Sequence, residues 1–445
     1  MSTAQDREGK SQGRGSRAQD RGASSPHVMR RANRQALLQH ALRVETFTAA
    51  DAMAATGLTR ATVLGVCTEL ARSGWLGEVP ADRDGAAVRG RPARRFALRA
   101  DAAVLLAVDA GQHTLSARVA DLRGRELAAA RASLEDAPLV GDGLEAGAAA
   151  AEARLEALHG LLDQVLRQAD AQQRPRLLTV VGVPAPVDAR GRSPIGDASY
   201  WPAMNPGLVD ALDGAVVVEN DANLAVLAER AHLLSLGAPA DHLATLLMGE
   251  RFGAGLVVDG RLLRGADGGA GEMRFLDGVL GDSRGADGVA ALARRWALEA
   301  LAAGESSPAL SSIPAVELSA KHVFDAAREG DALASAVLER IGDRLARIAV
   351  ILSSLLAVDS VVVAGAIAEA IAPVLDHARR ALPRIGTPPL PDLAASTLGR
   401  DVVVGGALEL ALTRLREDPL ALLSTDPEAL RGPADVAGSG ENLTH

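Results

Sequence analysis

What most limits the fold of this chain is a change of grammar at about Asp101. Beyond that point short apolar strands and amphipathic helices alternate, and they do so in two successive sets. In the first, Ala103–Ala110, Thr114–Asp121 and Glu126–Ser133 read as strands, the last two joined by a Leu122-Arg123-Gly124 turn. A long Ala/Leu/Glu helix follows from about Gly143 to Ala169, then buried strands at Leu177–Pro184 and Ala215–Glu219, with a helix opening at Asn220. The second set begins with strands at His242–Gly249, Gly253–Val258 and Arg261–Leu263. Helices over Ala290–Ala303 and Ala320–Val358, a strand at Ser360–Ala364 and a helix over Ile367–Leu382 complete it. Two α/β lobes of similar size are implied. The 445 residues, 48% of them hydrophobic, supply cores for two or three domains and exclude a fully disordered chain. No short-period repeat is present, which excludes a solenoid.

Ahead of Asp101 the pattern differs. Met29 to Gly74 reads as three short helices, at Arg31–Arg43, Ala49–Ala55 and from Thr59 onward, with Gly57 supplying the turn between the second and third. Trp75–Val79 and Arg94–Leu98 read as strands around a loop rich in Asp, Gly and Arg, the outline of a winged helix-turn-helix. Val63, Val66, Cys67 and Leu70 fall at i, i+3, i+4 and i+7, so the third helix buries that face and turns Arg60, Thr62, Leu64, Gly65, Thr68 and Glu69 outward. The N-terminal part of such a helix enters the major groove, which makes Thr59, Arg60 and Thr62 the candidates for base and phosphate contacts. Gly90-Arg91-Pro92, flanked by Arg89, Arg94 and Arg95, stays extended and can lay Arg91 and Arg94 into a minor groove. A plain three-helix bundle with a solvated basic linker shares these features. Charge separates the two parts of the chain: residues 1–100 carry a net +8 and residues 101–445 a net −17. A basic head on an acidic body suits a phosphate-binding module attached to a domain with a different partner.

Cys67 is the single cysteine, so disulfides and cysteine-based metal sites are excluded. The longest stretch without Asp, Glu, Lys or Arg, Ala198 to Val209, is 12 residues and contains Pro202 and Pro206, too short and broken for a bilayer. The first 28 residues lack the apolar segment of a signal peptide, and a cytoplasmic, membrane-free protein is expected. No histidine spacing points to a metal.

Two local patterns carry chemistry. Glu219-Asn220-Asp221-Ala222-Asn223 stands at a strand-to-helix junction, where a carboxylate and an amide project into the crevice of an α/β lobe. Such a pair can bind vicinal hydroxyls, with Asp221 as a base toward one of them. Helix capping by Asn220 explains the same residues equally well. The second pattern is the glycine-dense run from Gly249 through Gly253, Gly255, Gly260 and Gly265 to Gly271, next to Glu272, which suggests tight turns and backbone approach to a ligand.

Taken in order, ENDAN (219–223), GERFGAGLVVDGRLLRG (249–265) and AGE (270–272), after a winged helix-turn-helix, resemble the ROK family of sugar kinases and sugar-responsive repressors. The resemblance runs from about Met29 to Leu415. It implies an actin-like pair of α/β lobes around a cleft, with sugar hydroxyls contacted by Asn220, Asp221 and Glu272. It also implies the division of the chain. A disordered basic and polar tail at 1–28 precedes a winged helix-turn-helix at 29–100; lobe 1 covers 101–221 and is completed by a helix at 405–417; lobe 2 covers 222–404; a mostly disordered tail follows at 418–445.

Departures from the family pattern are as informative. After AGE the family continues x-G-H, whereas this chain reads Met273-Arg274-Phe275, and the stretch that would bear a cysteine-rich zinc motif, Leu280 to Gly285, has no cysteine. No metal is therefore expected. The kinase phosphate loop resembling D-x-G-G-T is here Asp109-Ala110-Gly111-Gln112-His113. The G-T-G loop is Gly249-Glu250-Arg251, and the adenosine-side Gly-Gly is Ala364-Gly365. A phosphate cradle needs close backbone approach and no anionic side chain. The expected function is thus a sequence-specific DNA-binding regulator, a repressor of carbohydrate-related genes, without a cofactor or enzymatic activity. Its partners would be a double-stranded operator, a sugar or sugar phosphate effector, and further copies of itself in a homodimer or homotetramer. A body serving only as an oligomerisation or docking scaffold, and a sugar kinase with an accessory domain, are the alternatives.

Overall fold

The computed structural model describes residues 26–80, 93–134, 144–194, 200–272 and 287–423. Three helices open it, α1 (Pro26–Arg43), α2 (Ala49–Thr56) and α3 (Arg60–Arg72). Three of these helix ends have a clear local cause. Thr48 and Asp51 form a reciprocal capping box at the head of α2, Gly57 ends α2 in the left-handed region, and the Thr59 hydroxyl caps α3 by accepting the Thr62 N–H. Strands β1 (Phe47–Thr48), β2 (Leu76–Val79) and β3 (Arg95–Leu98) pair antiparallel in the order β1-β3-β2. Val63, Val66, Cys67 and Leu70 are buried against Leu37, Leu38, Phe47 and Phe96. This is a winged helix-turn-helix.

The body is two sheets of one topology. The first runs β6 (Glu126–Ser133), β5 (Thr114–Ala120), β4 (Val104–Ala110), β7 (Arg176–Val183), β8 (Val216–Asn220); α4 (Leu144–Gln168) and the short helices α5 (Tyr200–Met204) and α6 (Leu208–Ala211) lie between β6 and β8 in sequence. The second runs β11 (Arg261–Leu262), β10 (Phe252–Val258), β9 (Leu243–Met248), β12 (Ser360–Ala364), β13 (Asp392–Ala395). In each, three strands form an antiparallel meander and the next two add parallel to the first. The inner parallel strands β7 and β12 are buried almost throughout, hence their unbroken Val/Leu runs, whereas edge strand β6 mixes exposed and half-buried residues. Helices α8 (Val289–Ala302), α9 (Pro308–Ser311), α10 (Ala320–Arg328), α11 (Ala332–Leu356) and α12 (Ala372–Ile385) contribute to the core on one face of the second sheet.

Two helices join the lobes. The chain leaves β8 and enters α7 (Asp221–Ser235), which packs on β9 and β10 of the second sheet; after β13 it returns through α13 (Val402–Glu417), which packs on β4 and β7 of the first. They touch backbone to backbone. Gly406 of α13 lies so close to the Leu224 carbonyl of α7 that any Cβ there would collide with it.

The boundaries differ from expectation at three places. Helix α1 starts at Pro26, inside the segment read as tail. The return helix starts at Val402 rather than 405, because Val402, Val403 and Val404 are apolar enough to bury at once. Residues Pro419–Leu423 form helix α14, with Leu420, Ala421 and Leu422 buried, instead of opening a tail. The rest of both expected tails, 1–25 and 424–445, lies outside the described residues. Among those residues no helix is long and apolar enough to cross a membrane.

Candidate functional site

A cleft of about 440 Å³ opens between the two sheets. It is lined from lobe 1 by Asp109 at the end of β4, by Gly111 to Thr114 after it, and by Tyr200 and Asn220. Asp221 comes from the first turn of α7, Gly249 to Gly253 from the β9–β10 turn, and Val402 and Val403 from α13; Glu272 completes the rim. Asn220, Asp221 and Glu272, separated by up to 52 positions in sequence, thus face one space.

Within this group the roles diverge. Asn220 is the N-cap of α7: its Oδ1 accepts the Asn223 N–H at 3.1 Å and its Nδ2 donates to the Ala185 carbonyl at 3.0 Å. Asn223 Nδ2 donates to Glu219 Oε1 at 2.9 Å, and Arg264 holds the buried Glu219 Oε2 from both Nε and Nη2 at 2.8 Å. Capping and ligand approach, which fit these residues equally well in sequence, are here divided between them. Glu219, Asn220 and Asn223 form a brace that locks the strand-to-helix junction, and the polar group it leaves for the cleft is Asp221. Asp221 Oδ1 accepts the Ala222 N–H at 2.7 Å; Oδ2 makes no hydrogen bond among the described residues.

The Asp221 carboxyl is pushed up from 3.8 to about 8, first by burial, then by the negative charge of Asp109. Its place at a helix N-terminus works the other way, but a dipole interaction of roughly 0.3–1 kcal/mol is less than one pKa unit, so burial wins. Asp109 is raised to about 7, again mainly by burial, with Arg154 and Arg131 opposing. Arg154, buried on α4, donates to the carbonyls of Ala110, Gly111 and Gln112 and so fixes the loop that carries Asp109.

Most of the glycine run serves packing rather than ligand approach. A Cβ at Gly255 would strike the Ala222 carbonyl, so this glycine seats the first turn of α7 directly on β10. Gly271, at φ +83°, passes equally close to the Ala254 carbonyl and sets the position of Glu272 beside the cleft. Of the eroded phosphate loops, Glu250 pairs with Arg294 at 3.3 Å, and Gln112 accepts the Tyr200 hydroxyl at 3.3 Å. On the same helix as Arg294, Arg295 is 17% exposed and bridges Asp287 and Glu299. The expected departures Arg274 and Phe275 lie outside the described residues. Among the described residues no group of three His, Cys, Asp or Glu is arranged to hold a metal ion.

On the head, Arg60 projects at the exposed start of α3, and Thr62 is half-buried with its hydroxyl 3.0 Å from that of Thr59. Two residues of the outward face are engaged: Leu64 packs against the core, and Glu69 pairs with Arg30 at 3.0 Å and Arg34 at 3.4 Å from α1. Arg94 is exposed and paired with Glu78 on the neighbouring strand. Arg91 lies outside the described residues.

Sequence reading missed how the head is attached. Gln35 and Gln39 of α1 both donate to the Glu417 carbonyl at 2.9 Å, and Gln39 also reaches Arg416 O at 3.2 Å. These are last-turn carbonyls of α13, which have no partner within their own helix. Arg123, in the β5–β6 turn, donates to Val44 O at 2.9 Å. Head, α13 and lobe 1 thereby share one apolar core. Two glutamines on an otherwise ordinary helix carry no sequence signal for a partner some 380 positions away.

The chain is 28% identical over 206 residues to a glucokinase of Thermotoga maritima and 30% identical over 212 residues to one of Halalkalibacterium halodurans. Each match covers 43% of this chain and 64% and 62% of those enzymes, so less than two thirds of either relative is spanned. Among solved structures, a ROK family transcriptional regulator described as a homologue of the Escherichia coli MLC protein superposes with a TM-score of 0.65 at 19% identity, covering 91% of this chain and 99% of that one. A ROK glucokinase from Streptomyces griseus gives 0.53 at 24% identity, covering 69% of this chain and 98% of its own. These likenesses establish the fold, an actin-like body behind a winged helix-turn-helix. The ROK family model itself matches residues 105–414, about 70% of the chain, and the chain belongs to the ROK family.

Proposed function

We propose that this chain is a sequence-specific DNA-binding transcriptional regulator, a repressor of carbohydrate-related genes. In this reading the body senses a sugar or sugar derivative and does not transfer phosphate. The observation that carries it is the double engagement of α13: its first residues, Val402 and Val403, line the cleft, and its last carbonyls are held by Gln35 and Gln39 of the head. A ligand bridging Asp221 and Glu272 on one side and the Asp109–Thr114 loop on the other would draw the lobes together. It would move α13 against α7 at Gly406, and α13 would carry the head with it. Such coupling works to the extent that the ligand binds the closed arrangement better than the open one. Paired heads on a near-palindromic site fit a homodimer or homotetramer.

Against kinase activity stands the phosphate side of the cleft. Glutamine replaces a loop glycine at position 112, and Glu250-Arg251 stand where the second loop has Thr-Gly, so the bare backbone cradle that a nucleotide phosphate chain needs is missing from both loops. The deciding experiment is genome-wide capture of bound DNA, followed by titration of the best site with sugars. Discrete sites whose occupancy changes with one sugar support the reading; discrete sites indifferent to all sugars favour a scaffold; phosphoryl transfer to a sugar overturns it.

Two variants probe the two ends. Arg60→Ala is expected to weaken operator binding by about 1–3 kcal/mol, read by fluorescence anisotropy, as for a side chain at a base edge. Equal affinity in both proteins removes Arg60 from the interface. Gln35→Ala/Gln39→Ala is expected to retain operator binding yet lose most of its sugar dependence. An undiminished sugar response in that double variant breaks the proposed α13 linkage.

A further inference from the structure

We propose that the ligand of this cleft is a polyol bearing an anionic group, a sugar acid or a sugar phosphate, and that Arg251 receives that group. This rests on the sugar-sensing reading above and narrows its ligand class. Arg251 occupies the third position of the altered Gly249-Glu250-Arg251 turn and lines the cleft, half-buried. Its backbone is pinned by a bridge to Asp287, and its guanidinium lies 3.9 Å from the centroid of the Tyr200 ring on the opposite lobe. Tyr200 is itself tethered through its hydroxyl to Gln112.

Stacking of this kind uses the face of the guanidinium and leaves its edge of N–H donors open. Among the described residues Arg251 makes no side-chain hydrogen bond or ion pair. Its neighbours at the cleft are differently placed. Arg131 is paired with Asp401, and Glu250 with Arg294. Arg400, also on the lining, is exposed and has no charged partner among the described residues.

Of the four acids on the cleft lining, Asp109 and Asp221 are held toward their neutral forms and Glu250 is paired with Arg294. With carboxyls raised to about 8 and about 7, Asp221 is mainly protonated and Asp109 about half protonated near neutral pH. They act there chiefly as hydrogen-bond partners for hydroxyls. A planar fork held on an aromatic ring beside hydroxyl-binding groups matches a carboxylate or phosphate on a sugar ring, in two parallel bonds. It is a side-chain receptor, unlike the glycine-lined backbone cradle that this turn has lost.

The test is calorimetric titration of the full chain at neutral pH with three probes of one ring stereochemistry: glucose, glucuronate and glucose 6-phosphate, repeated with the galactose series. Within the series that binds, an anionic probe is expected to exceed the neutral hexose by about 10-fold or more, the increment of one charge-assisted pairing. Arg251→Gln should erase that preference, and Arg251→Lys, which keeps charge without the fork, should restore part of it, with thermal melting as the check that each variant is folded. Preference for the uronate names a carboxylate ligand, and preference for the 6-phosphate names a phosphate; either supports the proposal. Equal affinity for neutral and anionic probes, or a preference that survives Arg251→Gln, overturns it while leaving sugar sensing intact. Binding of none of the six probes by a protein that still binds its operator overturns the sensing reading, and this proposal with it.

Discussion

Gly406→Ala is expected to lower the stability of the protein, although helix propensity argues the reverse. In an open helix interior, glycine to alanine gains about 0.5–1 kcal/mol. At Gly406 the added Cβ meets the Leu224 carbonyl oxygen, a backbone atom that cannot turn aside, and overpacking of this kind costs about 1–3 kcal/mol. The steric cost exceeds the propensity gain and decides the sign, and Gly406→Val should fall further. Gly65, in the interior of α3 with open space around its missing side chain, is the matched control: Gly65→Ala is expected to raise the melting temperature. Scanning calorimetry of the three variants checks all of this at once. A Gly406→Ala melting temperature at or above wild type would mean that α7 and α13 separate at little cost, and the contact could not then be the pivot between the lobes.

The contact matters because it is the place where the two sheets meet through helices instead of through side chains alone. Asp221 begins α7 one turn before Leu224, and Val403 lies one turn before Gly406. Under the proposed function, a ligand that pulls on the first turn of α7 would act close to the crossing, and α13 would pass the change to the head at its far end. Interfaces of this kind are packed too tightly to deform gradually, so small shifts are passed on rather than absorbed.

How much of this the sequence discloses depends on the range of each interaction. Strand and helix order is local, written in runs such as Val216-Val217-Val218 and in caps such as Thr48, Thr59 and Asn220, and the two-lobed plan follows from it. The convergence of Asn220, Asp221 and Glu272 on one cleft is legible through family resemblance alone, since no periodicity links positions 221 and 272. What is not legible depends on close approach in three dimensions. The run Gly253-Ala254-Gly255 looks the same whether it faces a ligand or a helix, and the fold puts α7 there. Arg154 sits in an Ala/Leu/Glu helix like any surface arginine, yet it is buried against three carbonyls of the Asp109 loop. Pro419–Leu423 is too short to declare itself a helix; it becomes one because α1 offers it an apolar face.

Asp221→Asn is expected to separate stability from function. In the folded chain the Asp221 carboxyl ionises at about 8 instead of 3.8, so between those values the native state holds a proton that the unfolded chain has released. Stability therefore falls as pH rises through that window, and the Asp109 carboxyl, raised to about 7, adds a penalty of the same sign. Asparagine keeps the shape of the side chain and cannot ionise, so the variant should melt higher than wild type, by a margin that is larger at pH 8 than at pH 5. The same change replaces the carboxyl group in the cleft with an amide that can neither give up nor take up a proton, and is expected to abolish any sugar-induced rise in melting temperature while leaving operator binding without sugar intact. A margin that does not grow with pH would show that Asp221 is not held against its ionisation, and an undiminished sugar response would remove it from the ligand site. A carboxylate kept at a cost to stability, on the cleft side of a brace that ties down Glu219, Asn220 and Asn223, is what a binding group displays when the fold is arranged around its ligand instead of around itself.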